Sequence, residues 1–523
     1  MDKKSKAPCK SNILETFRGA RVLVTGGTGF VGQVLIEKLL RTCEIDKLYI
    51  IARPKNGMTE KERLEKIFDD HLYRRVKHEQ PNCMSKVVLV KGDCEQRELG
   101  LSRDDHAVLV EEVNIIFHSA ATVRFDAKLS TAFAINVLGT KYLLDMAREM
   151  PHLKAFVHIS TAYSNCVIKE IHEQFYLPAL RWTEVAQLIE SLDQETIETI
   201  TPIVLGDYPN TYSFTKSVTE DLIREESRGL PVGILRPSIV VSTASEPVVS
   251  WINNLYGAVG VVTGAALGLL KTMYCDSDMP ADIVPVDMVI NNAIAIAWDL
   301  AEHTSENKLP NTDIKTSKNE DKIPIFNYVS SIQNSITWGE FMRLNEVAII
   351  YPSFKCIWYY CFQLNKHRFI HNIYIIFLHL LPAIFIDTGA KIIGKQPIMW
   401  KAYQKIHRFT DVIAYYSTQR WIFHNDNVQN LWRKMSPQDK VMFKFDITLL
   451  DWEVYLFSMI RGLRLYILQE NFEHLKESSV RYKRLKYLHY TIVYSFRLLL
   501  LYAAYQIALH CWIAYKDVLL EVL

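Results

Sequence analysis

Short apolar runs alternate with amphipathic stretches along the first 300 residues. The runs "RVLVTGG", "KLYIIAR", "KVVLVKGD", "VNIIFHSA", "AFVHIST" and "VGILRPSIV" read as strands. Between them, "GQVLIEKLLRT", "TKYLLDMAREM" and "SFTKSVTEDLIREES" read as helices. This alternation predicts an α/β fold with a doubly wound, mainly parallel sheet of Rossmann type. The polar segment His303–Lys322 reads as an exposed loop, and "IPIFNYVS" after it as one more strand.

From about Ile350 the pattern turns aromatic and apolar. The block Phe369–Ile386 is apolar but interrupted by His371, Asn372, His379 and Pro382. It fits a buried core helix, an interfacial or re-entrant helix, or a kinked span. The block Leu488–Tyr515 is long enough to cross a bilayer, although Arg497, Gln506 and His510 lie within it, and a packed amphipathic helix is the alternative. Lys476, Arg481, Lys483, Arg484 and Lys486 flank it, which orients the body of the chain toward the cytosol. The resulting division is a polar N-terminal tail (1–20), a dinucleotide-binding catalytic domain (21–349), a smaller, mainly helical domain (350–470), and a basic flank with a transmembrane helix (471–523, the helix at about 488–515).

A length of 523 residues agrees with two domains, and the formal charge of +2 without a basic block disfavours nucleic acid as a partner. A composition that is 49% hydrophobic excludes a disordered chain. The nine cysteines form no C-x-x-C pair, and the first residues carry no apolar secretory segment, so the catalytic part is expected in the reducing cytosol.

The candidate chemistry begins at the first strand. Thr25, Gly26, Gly27, Thr28, Gly29, Phe30, Val31 and Gly32 form a glycine turn between a strand and a helix. Such a turn lets the backbone approach a pyrophosphate at the helix N-terminus. At the tip of the second strand stands Arg53, where NAD-binding folds usually carry an acid. A cation suits a 2′-phosphate, so the expected cofactor is NADPH; a solvated basic turn is the competing account. Asp93 ends the third strand, where an acid can bind the adenine amine. Ser119, Ala120 and Ala121 end the fourth, where small residues admit the cofactor.

The pattern Tyr-x-x-x-Lys occurs four times, at Tyr73–Lys77, Tyr212–Lys216, Tyr351–Lys355 and Tyr482–Lys486. Spacing of i, i+4 puts both side chains on one helix face, where the lysine stabilises a tyrosinate and the tyrosine serves a developing alkoxide. Tyr73 precedes the third strand, Tyr351 is followed by Pro352, and Tyr482 lies in the basic flank, where it reads as a membrane-surface anchor. Tyr212 opens a helix after a strand that ends in Ser160 and Thr161, either of which supplies the partner hydroxyl. Cys166 has no histidine base beside it in sequence and reads as structural.

The phrases "TGGTGFVGQVLIEKLLR", "FHSAATVRFD", "NVLGTKYLL", "FVHISTAYSN", "PNTYSFTKSVTE", "LRPSIV" and "DIVPVDMVINNAI" resemble extended short-chain dehydrogenases, and among them the alcohol-forming fatty acyl-CoA reductases. "LHLLPAIFIDTGAKIIGKQP" and "FKFDITLLDWEVYLFSMIRGLRLYIL" are similar to that family's C-terminal domain, so the resemblance runs from about Arg21 to Leu468. The chain departs from the family pattern at Ala258, Ser335 and Lys391, none of which is in the catalytic set. The resemblance implies Tyr212, Lys216 and Thr161 as the catalytic set, with Ser160 the near alternative, and Pro237 among the residues around the cofactor. It also implies NADPH-dependent reduction of long-chain fatty acyl-CoA to primary alcohol at a membrane, with the endoplasmic reticulum first and the peroxisome second. A membrane-bound sterol or steroid dehydrogenase would share the N-terminal motifs but not "FKFDITLLDW"; a non-catalytic scaffold would not need the intact Thr161, Tyr212 and Lys216. The stretch Asn165–Asn210 exceeds what a strand-to-helix link needs, and reads either as a cap over the acyl site or as surface structure.

Overall fold

All seven apolar runs become strands of one parallel sheet: β1 (Arg21–Thr25), β2 (Lys47–Ala52), β3 (Val87–Lys91), β4 (Ile115–His118), β5 (Ala155–Ile159), β6 (Val232–Pro237) and β7 (Ile325–Tyr328). The computed structural model describes residues 11–55, 57–306, 323–346 and 350–522. The strand order is β7-β6-β5-β4-β1-β2-β3. Every residue of β4, β5, β6 and β7 is buried, as helices covering both faces of a parallel sheet require. The order reverses between β1 and β4, where Thr25 pairs with His118. The carboxyl ends of these two strands therefore open the crevice in which such folds bind ligands.

The helix Phe30–Thr42 and the long helix Val286–Glu306 cover one face. Val289, Ile290, Ala293, Ile294 and Trp298 of the long helix are all buried in that layer. This helix extends through His303–Glu306, which shortens the expected polar loop; residues 307–322 lie outside the described set. The helix Thr211–Glu226 is buried over most of its length, and Val218 and Leu222 pack in a cluster with Val185 and Ile197. Those last two belong to the helices Trp182–Ser191 and Gln194–Leu205, into which the long Asn165–Asn210 stretch folds.

The C-terminal part is helical and docks against the sheet. Val428, Leu431 and Phe443 join the core of the first part. Asn427 Nδ2 donates to the carbonyl of Ile325 on β7 at 2.8 Å, and the Tyr328 hydroxyl donates to the carbonyl of Phe445 at 2.6 Å. The expected N-terminal tail is partly folded. Asn12–Phe17 is a helix capped by Ser11, with Ile13 and Phe17 fully buried, while residues 1–10 lie outside the described set.

Among the described residues two helices are long and apolar enough to cross a membrane, Arg368–Ile392 and the one containing Phe472–Lys516. The first is not the buried core helix that its sequence allowed. Phe369, Phe377, Phe385 and Ile392 stand exposed, while His371 and His379 are buried against the body. The last helix exposes nearly all of its apolar side chains from Tyr487 to Tyr515. Tyr482, read as a surface anchor, is buried instead, and its hydroxyl accepts from the backbone N–H of Tyr360 at 3.2 Å.

Candidate active site

The glycine turn follows β1 directly. Gly26 has φ of +70°, and a Cβ there would lie 2.6 Å from the carbonyl carbon of Ser119. Its lack of a side chain is what lets the β1 exit touch the β4 exit. A Cβ on Gly32 would stand 2.3 Å from the carbonyl oxygen of Gly26, so the helix Phe30–Thr42 packs onto the turn only with glycine there. Gly29 caps this helix without a side-chain hydrogen bond, and a Cβ on it would meet only Gly26 O, at 3.1 Å. The first N–H groups of the helix thus have no side-chain cap, an arrangement suited to a phosphate. Gly27 has a different task, since a Cβ there would strike Ile36 and Ile50 in the core. Phe30 stacks on Trp251 at 5.6 Å, and Val31 packs beside the same core. Thr25 ties the two strand ends together. Its Oγ1 lies 2.6 Å from His118 Nδ1 and accepts from the backbone N–H of Ala120 at 3.3 Å.

At the β2 tip, Arg53 donates to Asp93 at 2.8 Å and to Glu95 at 3.1 Å. Asp93 is thus engaged by Arg53, a pairing the sequence reading did not anticipate. A second cation enters the site that the sequence reading missed. Arg63, from the helix Glu60–Phe68, donates to Thr28 Oγ1 at 3.0 Å and to the backbone carbonyl of Arg53. It has no carboxylate partner among the described residues. The glycine cradle and the uncapped helix end fit a nicotinamide dinucleotide, and the cation stands beside them. Ser119, Ala120 and Ala121 lie at the β4 exit, and Pro237 closes β6 on the same carboxyl edge of the sheet.

Tyr212 and Lys216 share one face of the helix Thr211–Glu226, which opens at Asn210, whose side chain accepts from Ser213 N at 2.9 Å. Lys216 is buried and its Nζ donates to the carbonyl of Ile159, at the end of β5, at 2.7 Å. Burial lowers its pKa from the ordinary 10.5 to about 8, with Glu220 pulling the other way. Burial raises Tyr212 to about 12, against a hydrogen bond with Thr161 that lowers it. Tyr212, Thr161 and Lys216 thus meet at the carboxyl edge of the sheet. Ser160 does not join them. Its hydroxyl donates to Glu220 Oε1 at 2.6 Å, on the side of the buried ion pair between Glu220 and Arg236, at 2.6 Å. Successive residues of an extended chain point to opposite faces, which is why only one of the two hydroxyls reaches Tyr212.

Three further residues frame this set. Asn136 Nδ2 donates to Thr215 Oγ1 at 2.9 Å, and its Oδ1 accepts from Thr122 N at 2.9 Å. It lies in a π-turn (Ala134–Leu138) and joins the loop after β4 to the Tyr212 helix. Phe125 lies 5.8 Å from Tyr212 and 6.1 Å from Tyr416, centroid to centroid. Tyr416, from the helix Met399–Ser417 of the C-terminal part, lies within hydrogen-bond distance of Asn210 Nδ2 (2.9 Å) and Ser213 Oγ (2.7 Å). Asn136 and Phe125 sit in the phrases "NVLGTKYLL" and "FHSAATVRFD", but nothing local marks Tyr416. The other Tyr-x-x-x-Lys copies are elsewhere: Tyr73 is buried and donates to the carbonyl of Gln33 at 3.0 Å, and Tyr351 meets Phe457 and Phe472 edge to face. Cys166 is buried, and burial raises its thiol to about 11, which leaves it protonated and unreactive.

A seven-stranded doubly wound sheet, a glycine turn at its switch point and a Thr–Tyr–Lys set on its carboxyl edge define an extended short-chain dehydrogenase/reductase. The fold is shared with solved reductase domains. The chain superposes with a TM-score of 0.56 on the reductase domain of a nonribosomal peptide synthetase from Mycobacterium tuberculosis, at 19% identity, covering 87% of this chain and 96% of that one. It superposes with a TM-score of 0.51 on the terminal R domain of the myxalamid pathway, also at 19% identity, covering 86% and 91%. An NAD-binding family model described as male sterility protein matches residues 24–293, and a second model of that description matches 378–470. The chain is 40% identical to fatty acyl-CoA reductase wat of Drosophila melanogaster over 94% of its length and 92% of that protein. It is 33% identical to fatty acyl-CoA reductase 1 of Xenopus laevis, over 92% and 90%, and 33% identical to fatty acyl-CoA reductase 2 of Homo sapiens, over 96% and 96%. The chain belongs to the fatty acyl-CoA reductase family, which sets aside a sterol-type dehydrogenase.

Proposed function

We propose that this protein reduces long-chain fatty acyl-CoA to primary fatty alcohol with NADPH, through an aldehyde formed and consumed in one site. The observation that carries this reading is the meeting of Tyr212, Thr161 and Lys216 beside the glycine turn, with the aromatic rings of Phe125 and Tyr416 next to the tyrosine. Bound NADPH supplies the hydride for each of the two reductions. The residues of the chain do the rest. Tyr212 and Thr161 donate to the oxygen of the thioester carbonyl as it becomes an oxyanion. Lys216, cationic below pH about 8, makes the Tyr212 proton easier to give. The tetrahedral hemithioacetal then breaks its C–S bond, leaving aldehyde and the CoA thiol. In the second round Tyr212 protonates the alkoxide to give the alcohol. Arg63 and Arg53 at the β2 tip suit the 2′-phosphate of NADPH, and the open helix end at Gly29 suits the pyrophosphate.

The exposed apolar faces of Arg368–Ile392 and of the last helix support a membrane-bound enzyme with a cytosolic catalytic part, and the endoplasmic reticulum is the membrane we propose. Such a location suits a substrate whose acyl chain and a product whose whole length partition into lipid. The test uses membranes from a host that makes no fatty alcohol, supplied with palmitoyl-CoA and NADPH, with products separated by chromatography. Wild type yields alcohol, and Tyr212→Phe yields none while still quenching NADPH fluorescence on binding. Alcohol formation by Tyr212→Phe at the wild-type rate refutes the mechanism.

A further inference from the structure

The apolar helix Arg368–Ile392 is one arm of a hairpin. The chain turns at Gly394, where φ is +73°, and returns as the helix Met399–Ser417. Two levels of contact fix the antiparallel register. Near the turn, Asp387 accepts from the backbone N–H groups of Ile398, Met399 and Trp400. About two turns earlier, His379 stacks on Tyr403 at 4.7 Å and lies 3.0 Å from His407.

By length and hydropathy the first arm could cross a bilayer, but the second arm would then have to cross back. The second arm carries Lys401, Lys405, Arg408 and Asp411, all exposed. Charges spread along a lipid-facing helix are expensive inside a bilayer. The middle of the first arm is also tied to the body. His379 Nε2 accepts from the backbone N–H of Lys271 at 3.0 Å, and His371 Nδ1 lies 3.1 Å from Thr272 Oγ1. A helix held along the body by its middle cannot have that middle at the bilayer centre. Lys271 also marks which side of the body meets the membrane. Its ammonium sits over the Trp358 ring at 5.2 Å, and the Trp358 indole donates to His489 Nδ1 of the last helix at 3.1 Å. The hairpin and the last helix therefore attach to the same side of the body.

We propose that this hairpin lies flat in the leaflet that the last helix enters, and that its cations bind the headgroups of anionic phospholipids. Exposed Phe369, Phe377, Phe385, Ile392, Ile398 and Trp400 supply the apolar surface. Between Thr388 and Thr410 stand Lys391, Lys395, Lys401, Lys405 and Arg408, with no acidic residue among them. All five are exposed, and the last four make no salt bridge among the described residues. Unpaired cations beside an exposed apolar surface are the mark of an interfacial helix. Each cation near an anionic surface strengthens binding roughly 5-fold. The inference rests on the membrane location proposed above and is independent of the reduction chemistry.

The test places the full chain in nanodiscs of phosphatidylcholine, alone or with about 30% phosphatidylserine. Trypsin cutting after Lys395 is followed by mass spectrometry. Phosphatidylserine is expected to slow that cut at least ~10-fold at about 0.1 M salt, and much less at about 1 M, where screening acts within about 3 Å. Lys401→Glu combined with Lys405→Glu reduces this protection at least ~5-fold while NADPH still binds. In sealed microsomes at about 1 M salt, external trypsin cuts after Lys395, because a flat hairpin keeps its turn on the cytosolic face. Equal cutting rates in the two lipids overturn the headgroup contact. Protection that lasts until detergent opens the microsomes overturns the flat placement. A wild-type chain that fails to float with the microsomes overturns the membrane location itself, which separates that failure from the other two.

Discussion

Replacing Lys216 by methionine removes a buried charge while keeping the length of the side chain. The folded protein holds this ammonium against desolvation, which lowers its pKa from 10.5 to about 8. That difference is worth about 3 kcal/mol, at about 1.4 kcal/mol per pH unit. Below pH 8 the whole cost bears on the folded state, because lysine is protonated in both folded and unfolded chains. Between pH 8 and 10.5 the unfolded chain binds more protons than the folded one, so stability rises with pH through that window. The methionine variant has no such cost to recover. It does lose the hydrogen bond to the carbonyl of Ile159, and leaving that acceptor unpaired costs about 1–3 kcal/mol at every pH.

Lys216→Met is therefore inactive at all pH values yet about as stable as wild type, or up to ~2 kcal/mol more stable, at pH 7. Urea unfolding followed by tryptophan fluorescence, run on both proteins at pH 7 and pH 10.5, reads the comparison directly. Wild type gains about 3 kcal/mol relative to the variant between the two conditions. Effects of other titrating groups cancel in that double difference. A difference between the proteins that does not change with pH refutes the claim that Lys216 is held charged at a cost. The same lowering sets the alkaline limb of activity near pH 8, and Lys216→Arg, which keeps its charge, moves that limb upward.

Arg63→Ala removes the cation that has no acid partner among the described residues at the β2 tip. It weakens NADPH binding by about 1.5–3 kcal/mol, roughly 10- to 100-fold in Kd, and leaves NADH binding much less changed; fluorescence titration with both dinucleotides separates the two. Glu220→Ala leaves the buried Arg236 without its carboxylate and costs about 3–5 kcal/mol, read as a lower urea midpoint at pH 7. Tyr416→Phe keeps the ring beside Phe125 but removes the hydroxyl that Asn210 and Ser213 approach. It lowers kcat with little change in NADPH affinity, and equal losses in both quantities count against a role at the Tyr212 helix.

Much of the sheet was legible because a parallel strand buried on both faces must be a continuous apolar run, and each of the seven runs is one. The glycine turn was legible for a similar reason: Gly26 and Gly32 occupy places where any Cβ collides with backbone. The choice between Ser160 and Thr161 was not, because it depends on Glu220, which is 60 residues from Ser160 in sequence and adjacent only after the Tyr212 helix packs. Arg63 was missed because its contact with Thr28 requires the helix after β2 to fold back over the turn. For Arg368–Ile392, composition gave the apolar character, while the burial of its histidines came from contacts with another segment.

Those contacts connect the exposed apolar helix to the reaction site. Lys271 N donates to His379 Nε2 at 3.0 Å, so the proton on that ring sits on Nδ1, facing His407 Nε2 at 3.0 Å. Asp387, on the same apolar helix, accepts from the backbone N–H groups of Ile398, Met399 and Trp400, where the helix Met399–Ser417 begins. That helix carries His407 in its middle and Tyr416 at its far end, where the hydroxyl meets Asn210 and Ser213. One rigid element of 19 residues, about 28 Å long, thus runs from the apolar helix to the start of the Tyr212 helix. The C-terminal part is then more than an anchor appended to a reductase, because the position of its apolar helix and the frame around Tyr212 are fixed by the two ends of one helix.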